Sequence, residues 1–241
     1  MLANLPVEII LLICEYPELK DLGQLAWTNR RMMQIVKKHL PIALEREILF
    51  YRPDPPEWRQ WASVAYFKDK LYYLGGKDPK SNENTDRVDV LIDGKWQTGP
   101  AFPLSISCAQ TITYDGMLYV IDDRKIYRLS DDEQEWIEIG EIPEERGYFG
   151  VASLNGKIYI SGGWKMRGVS ESCLCFDPSA PVESRISQIA DMSYARSNHS
   201  LIVGNGKLYA IGGFQASNFC NSIEEYGPQT NKWSEIGKFN V

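Results

Sequence analysis

A six-residue phrase that returns four times, a tight turn ahead of every copy, and a change of hydrophobic period from 3.6 to 2 after a proline-rich stretch at 51–57 predict the fold class. It is mainly β: a β-propeller with four recognisable blades, about 58–100, 101–141, 142–191 and 192–241, behind a small N-terminal all-α domain over 1–50.

In the first fifty residues Leu5, Ile9, Leu12 and Ile13 recur at a helical period, Asn4 is placed to cap, and Pro6 suits a first turn. Pro17 cannot continue the backbone ladder and ends the segment. A second helix is expected from Asp21, with Leu22, Leu25 and Ala26 on one face. A third is expected over 29–40 through Met32, Met33, Ile35 and Val36, stopping at Pro41, with a short connecting helix over 43–49. Arg52-Pro53-Asp54-Pro55-Pro56 is stiff and extended and marks the domain boundary.

The repeated phrase starts at Leu71, Leu118, Ile158 and Leu208, intervals of 47, 40 and 50 residues. It reads Leu71-Tyr72-Tyr73-Leu74-Gly75-Gly76 in the first copy and ends in Gly162-Gly163 and Gly212-Gly213 in the third and fourth. In the second copy it ends in Asp122-Asp123 instead. The turns before it are Lys68-Asp69-Lys70, Asp115-Gly116, Asn155-Gly156 and Asn205-Gly206, and Asx-Gly pairs favour the hairpin turn that needs positive φ at both central residues. Apolar strands precede the turns at 63–67, 109–113, 150–154 and 200–203, and third strands follow near 87–91, 125–129, 172–176 and 222–226. Trp96, Trp136 and Trp233 sit on the fourth strands, where an indole can cover the seam between blades; in the third repeat Ile186 or Ile189 takes that place. The double glycines suit a crowded centre in which a Cβ would clash.

The 241 residues are 44% hydrophobic and 24% charged, the balance of an ordinary globular chain. The longest apolar run, 9–14, is far short of the ~20 residues of a spanning helix, Glu8 precedes it, and no basic segment opens it, so neither membrane insertion nor a signal peptide is expected. Five cysteines without framework spacing point to a reducing compartment. Residues 1–52 hold seven Lys/Arg and six Asp/Glu, leaving 19 of the 26 basic and 26 of the 32 acidic residues to the repeats. So acidic a body offers no footprint for a phosphate backbone, and no nucleic-acid partner is expected.

The Gly-Gly, Tyr and Trp pattern over 58–241 resembles the kelch repeat, and Arg146 and Arg196 stand where that family often has an arginine before the innermost strand. Leu5-Pro6-Val7-Glu8-Ile9-Ile10, Ile13, Leu19-Lys20-Asp21-Leu22, Leu25, Arg30 and Arg31 resemble an F-box, with Pro17-Glu18 and Met32 as departures. The resemblance as a whole is to F-box/kelch-repeat proteins. It implies that Leu5, Pro6, Ile9, Ile13, Leu22 and Leu25 dock a Skp-type adaptor of an SCF-type (cullin–RING) ubiquitin ligase while the kelch face captures a target protein. It implies cytoplasmic or nuclear residence, or the host cytoplasm for a viral or bacterial source. It also implies five to seven blades, so four leave the ring short; a shortened relative, a tight four-bladed ring and pairing with a second copy are the alternatives.

No catalytic constellation, metal set or cofactor loop is expected. His39 suits a helix end, His199 opens an inner strand, and Cys173 and Cys175 share one face of a strand without a second pair to complete a zinc site. Each Gly-Gly follows a strand but opens no helix, so no phosphate loop is present. The chain therefore reads as a non-catalytic substrate receptor; the alternatives are a scaffold with no ligase link and, third, a kelch-type oxidase. An up-and-down order of strands gathers 77–86, 165–169 and 215–221 with 102–107, 141–148 and 191–197 on one face. The expected partner contacts there are Arg146, Tyr148, Trp164, Arg167, Tyr194, Arg196, Phe214 and Phe219, aromatics and arginines being the residues that dominate hot spots.

Overall fold

The computed structural model describes residues 54–216 and 218–239. The expected helices of 1–50, and with them Leu5, Pro6, Ile9, Ile13, Leu22 and Leu25, lie outside the described residues. The described chain is mainly β and forms four antiparallel four-stranded sheets, each running in chain order. Blade 1 is β1 (Ser63–Phe67), β2 (Lys70–Leu74), β3 (Val88–Ile92) and β4 (Lys95–Thr98). Blade 2 is β5 (Gln110–Tyr114), β6 (Met117–Asp122), β7 (Lys125–Leu129) and β8 (Trp136–Glu141). Blade 3 contains β9 (Gly150–Leu154) and β10 (Lys157–Ser161), then the small hairpin β11 (Trp164–Lys165) and β12 (Gly168–Val169), then β13 (Cys173–Phe176) and β14 (Ile186–Ile189). Blade 4 repeats this plan with β15 (Ser200–Gly204), β16 (Lys207–Ile211), the hairpin β17 (Phe214–Gln215) and β18 (Asn218–Phe219), β19 (Ser222–Gly227) and β20 (Lys232–Lys238).

The local chemistry explains the strands. Asp115-Gly116, Asn155-Gly156 and Asn205-Gly206 all take positive φ at both positions, and Lys68-Asp69 does the same without glycine. Those turns set the register in which Leu118, Tyr119, Val120 and their counterparts alternate between two apolar faces. The innermost strands β1, β5, β9 and β15 pack side by side in that order, and each seam between blades holds one apolar cluster. Phe67, Leu74 and Val90 meet Leu118 and Tyr127 in the first; Ile121 and Ile126 meet Phe149 and Ile158 in the second; Leu154 and Cys175 meet Leu208 and Tyr226 in the third.

Outer-strand tryptophans close two of these seams. Trp136 Nε1 donates to Pro100 O at 3.0 Å and Trp233 Nε1 to Ala190 O at 3.0 Å, so each indole buries a large apolar area and satisfies its only donor across the seam. In blade 3 the register places Ile186 opposite Phe176, as Trp233 lies opposite Tyr226, and the neighbouring Arg185 donates Nη1 to Ile139 O at 3.0 Å. Blade 1 begins at the proline-rich stretch itself: Glu57 pairs with Lys80 at 3.1 Å and with Arg87 at 3.5 Å. A Cβ on Gly162, where φ is +58°, would run into the carbonyl oxygen of Arg196, which is why blade 3 holds glycine there.

Candidate functional site: the loop face

The segment that leads into every innermost strand has one design. Four residues ahead of β1, β9 and β15 stand Arg59, Arg146 and Arg196, all buried. Arg59 Nε donates to Gly75 O at 2.6 Å, Arg146 Nη1 to Gly162 O at 3.2 Å, and Arg196 Nη1 to Gly212 O at 2.9 Å. Each guanidinium thus covers the carbonyl at the end of its blade's second strand. Arg146 and Arg196 also donate to the Ser172 and Ser222 carbonyls at 3.1 Å, while Arg59 meets Asp89 at 2.6 Å and Arg196 meets Glu224 at 2.7 Å.

Two of the expected partner contacts are corrected by this. Arg146 and Arg196 spend their Nη donors on blade carbonyls and on the Ser172 and Ser222 hydroxyls inside the protein, and a planar guanidinium held in such a slot is a structural clamp. Arg59 was not anticipated, although its spacing to Ser63 matches that of Arg196 to Ser200.

Two residues after each arginine position the backbone turns left-handed at a non-glycine residue: Trp61, Cys108, Tyr148 and Asn198, with φ between 51° and 60°. These four are linked from blade to blade, Cys108 N donating to Trp61 O at 2.9 Å and Asn198 N to Tyr148 O at 2.7 Å. A hydrogen bond with Cys108, together with burial, pushes the Tyr148 hydroxyl pKa up.

Outside this line, the β11–β12 and β17–β18 hairpins stand up from the face. Gly147 and Trp164 exchange backbone hydrogen bonds at 2.9 and 2.7 Å, and Ser197 and Phe214 do so at 2.9 and 2.8 Å, which fixes each hairpin to the arginine segment of its own blade. Trp164, Phe214, Phe219 and Met166 are exposed, Phe219 at 70% and Met166 at 97%, and the Phe214 and Phe219 rings lie 4.8 Å apart. Arg167 is exposed between β11 and β12. Tyr194 stands apart, with its hydroxyl donating to Glu235 at 2.7 Å and Lys238 over its ring at 5.8 Å. The structure thus brings Tyr148 and Trp164 together through Gly147, pairs Phe214 with Phe219, and draws Tyr194 to the outer strand of blade 4.

Blade 2 departs from the design. Its arginine position is Ile106, and its β6–β7 connection is the two-residue turn Asp123-Arg124, where the other blades have loops spanning 75–87, 162–172 and 212–221. The shortfall leaves a cavity of about 280 Å³ whose wall includes Asn84, Ser105, Ile106, Cys108, Asp122 and Asp123. Burial, and then the neighbouring Asp123, push the Asp122 carboxyl up to about 6.

The remaining candidates are structural. His199 Nε2 lies 2.7 Å from Ser161 Oγ, and burial, then nearby Arg196, push its pKa down to about 3, so the ring is neutral. Burial raises the Cys173 thiol to about 12, and Cys175 is raised by the same cause, so neither is a ready thiolate. Among the described residues no helix is long and apolar enough to cross a membrane.

The Kelch motif matches residues 145–181 and 195–240, the third and fourth blades. Kelch-like protein 41a of Danio rerio is 28% identical over 186 residues, 68% of this chain and 31% of that protein. Kelch-like protein 15 of Homo sapiens is 31% identical over 134 residues, 48% of this chain and 22% of that protein. The chain spans about a third of the length of the first curated relatives it matches, 31% for Kelch-like proteins 41a and 40. The structure titled "Structure of YjhT" superposes with a TM-score of 0.63 at 18% identity, covering 78% of this chain and 68% of the other, a likeness of fold. With four repeated blades, buried blade arginines and these matches, the chain is a kelch-repeat protein.

Proposed function

We propose that the chain is a non-catalytic interaction protein whose loop face captures a target protein, and that its N-terminal segment links the captured target to an SCF-type ubiquitin ligase through a Skp-type adaptor. The observation that carries the first half is the presence of exposed Trp164, Met166, Phe214 and Phe219 on two hairpins, each hydrogen-bonded to the arginine segment of its own blade. Large apolar side chains held on a scaffold and surrounded by polar loops are what protein interfaces bury first. The Kelch-like names of the relatives are in keeping with such a role. Support for the second half is the Leu-Pro-x-Glu opening at Leu5 and the apolar series Ile9, Ile13, Leu22 and Leu25. On this reading the chain works in a reducing compartment, cytoplasm or nucleus, in keeping with the free thiols of Cys108, Cys173, Cys175 and Cys220.

Cross-linking of the full chain in cells, compared with Phe214→Ala/Phe219→Ala and Trp164→Ala, tests the capture surface. Loss of the same target from both variants, with unchanged melting, is expected; full retention by both sinks the reading. Co-purification with the Skp-type adaptor, lost in Leu5→Ala/Ile9→Ala, tests the ligase link. Target capture without adaptor would leave a scaffold with no ligase link.

A further inference from the structure

Three blades carry an internal arginine over the carbonyl that ends the second strand, and in blades 1 and 4 that arginine also meets a buried carboxylate, Asp89 or Glu224. Blade 2 inverts the arrangement. The arginine is replaced by Ile106, and the first glycine of the pair by an aspartate, Asp122. The β6–β7 turn of blade 2 raises no loop over the site, and the wall of the cavity left there includes the very residues that break the pattern, Ile106, Asp122 and Asp123. Among the described residues no donor lies within hydrogen-bond or ion-pair range of the Asp122 carboxylate. The basic side chains that follow it in the turn are engaged elsewhere, Arg124 with Glu141 and Lys125 with Glu138 at 2.8 Å. Burial and the neighbouring Asp123 raise the carboxyl's pKa, and the one arginine lining the cavity, Arg146, directs its guanidinium to the Gly162 and Ser172 carbonyls of blade 3.

We infer that this recess receives the guanidinium of an arginine side chain supplied by the captured protein, in place of the arginine that blade 2 lacks. The inference rests on the loop-face reading above and names the partner's chemistry at one point of that face. About 280 Å³ falls just below the range of small-molecule pockets and suits one long side chain. A guanidinium is favoured because its planar fork meets a carboxylate and carbonyls together, as Arg59 and Arg196 do in blades 1 and 4. The route in is open: Asp123 is exposed at the rim, and Tyr148 follows the lining residues Arg146 and Gly147. An acidic repeat domain draws such a basic partner from a distance.

The test is an NMR titration of the full chain with N-acetyl-arginine amide, N-acetyl-lysine amide and N-acetyl-citrulline amide. The arginine probe is expected to shift the Asp122 carboxyl and Cys108 amide signals saturably, with the citrulline probe at least tenfold weaker and the lysine probe between them. Asp122→Asn, which keeps the side-chain shape, is expected to weaken the arginine probe at least tenfold. Ile106→Arg, which gives blade 2 its own arginine, is expected to abolish the response. Equal binding of citrulline or of lysine, or an unchanged response in Asp122→Asn, overturns the inference. Failure of Phe214→Ala/Phe219→Ala and Trp164→Ala to disturb target capture would instead sink the loop-face reading, whatever the probes do.

Discussion

Arg196 and Glu224 meet inside blade 4 at 2.7 Å, Nη2 to Oε1, with neither side chain exposed to solvent. The pair is one corner of a network. Glu224 also accepts backbone N–H bonds from Ser193 at 2.6 Å and Tyr194 at 3.2 Å, and Arg196 holds the Gly212 and Ser222 carbonyls. It ties the segment entering blade 4 to two of that blade's strands.

Removing one partner leaves a buried charge without compensation. Arg196→Met is expected to cost about 3–5 kcal/mol of stability, whereas Arg196→Met/Glu224→Leu loses much less than the sum of the two single changes. Denaturant unfolding of the four proteins checks this, and additive losses would contradict the coupling.

Gly162 and Gly116 share a positive φ, +58° and +67°, but differ in surroundings. An added Cβ at Gly116 meets nothing within 4 Å; at Gly162 it strikes the Arg196 carbonyl and crowds His199. Gly116→Ala is expected to cost about 1 kcal/mol for backbone conformation alone, and Gly162→Ala about 3 kcal/mol or more. Melting temperatures of the pair separate conformational strain from collision.

Asp122 makes stability depend on pH in an unusual direction. Its folded pKa, about 6, lies above the ordinary 3.8, so ionisation opposes folding. Stability is therefore highest below pH 4 for this group and falls as pH rises through 6, by at most about 3 kcal/mol. Asp122→Asn is expected to melt higher than the parent at pH 7.5, with the advantage gone at pH 4.

His199 acts with the opposite slope. Its folded pKa, about 3, lies below the ordinary 6.5, so its contribution is complete above pH 6.5 and is lost as pH falls toward 3. The His199 ring signals are expected to stay fixed in an NMR titration from pH 8 to pH 5. A midpoint near 6.5 would show that the ring is solvated.

Much of the fold was legible because its signals are local. Asn155-Gly156 can hardly be anything but a tight hairpin turn, and Leu118-Tyr119-Val120-Ile121 supplies apolar groups to both faces of a strand. The tryptophans pointed to seams because an indole on an outer strand has only the neighbouring blade to cover. Arg146 and Arg196 misled for a physical reason: an arginine in a loop looks solvated until two carbonyls, 16 and 26 residues away, converge on it. Asp122-Asp123 stands out in the sequence only as a break in the Gly-Gly pattern, since the empty space beside it comes from loops that other blades have and blade 2 lacks. The interval of 40 residues, against 47 and 50, marks the missing loop but not the space it leaves.

The left-handed residues at Trp61, Cys108, Tyr148 and Asn198 carry a wider consequence. One backbone geometry, repeated four times, presents an indole, a thiol, a phenol and a carboxamide. The frame thus holds four chemically different side chains, at a strain cost met by the surrounding hydrogen bonds. These positions amount to a row of interchangeable type in a fixed press. A change of letter alters the chemistry that the loop face presents, while the blades that hold it stay as they are.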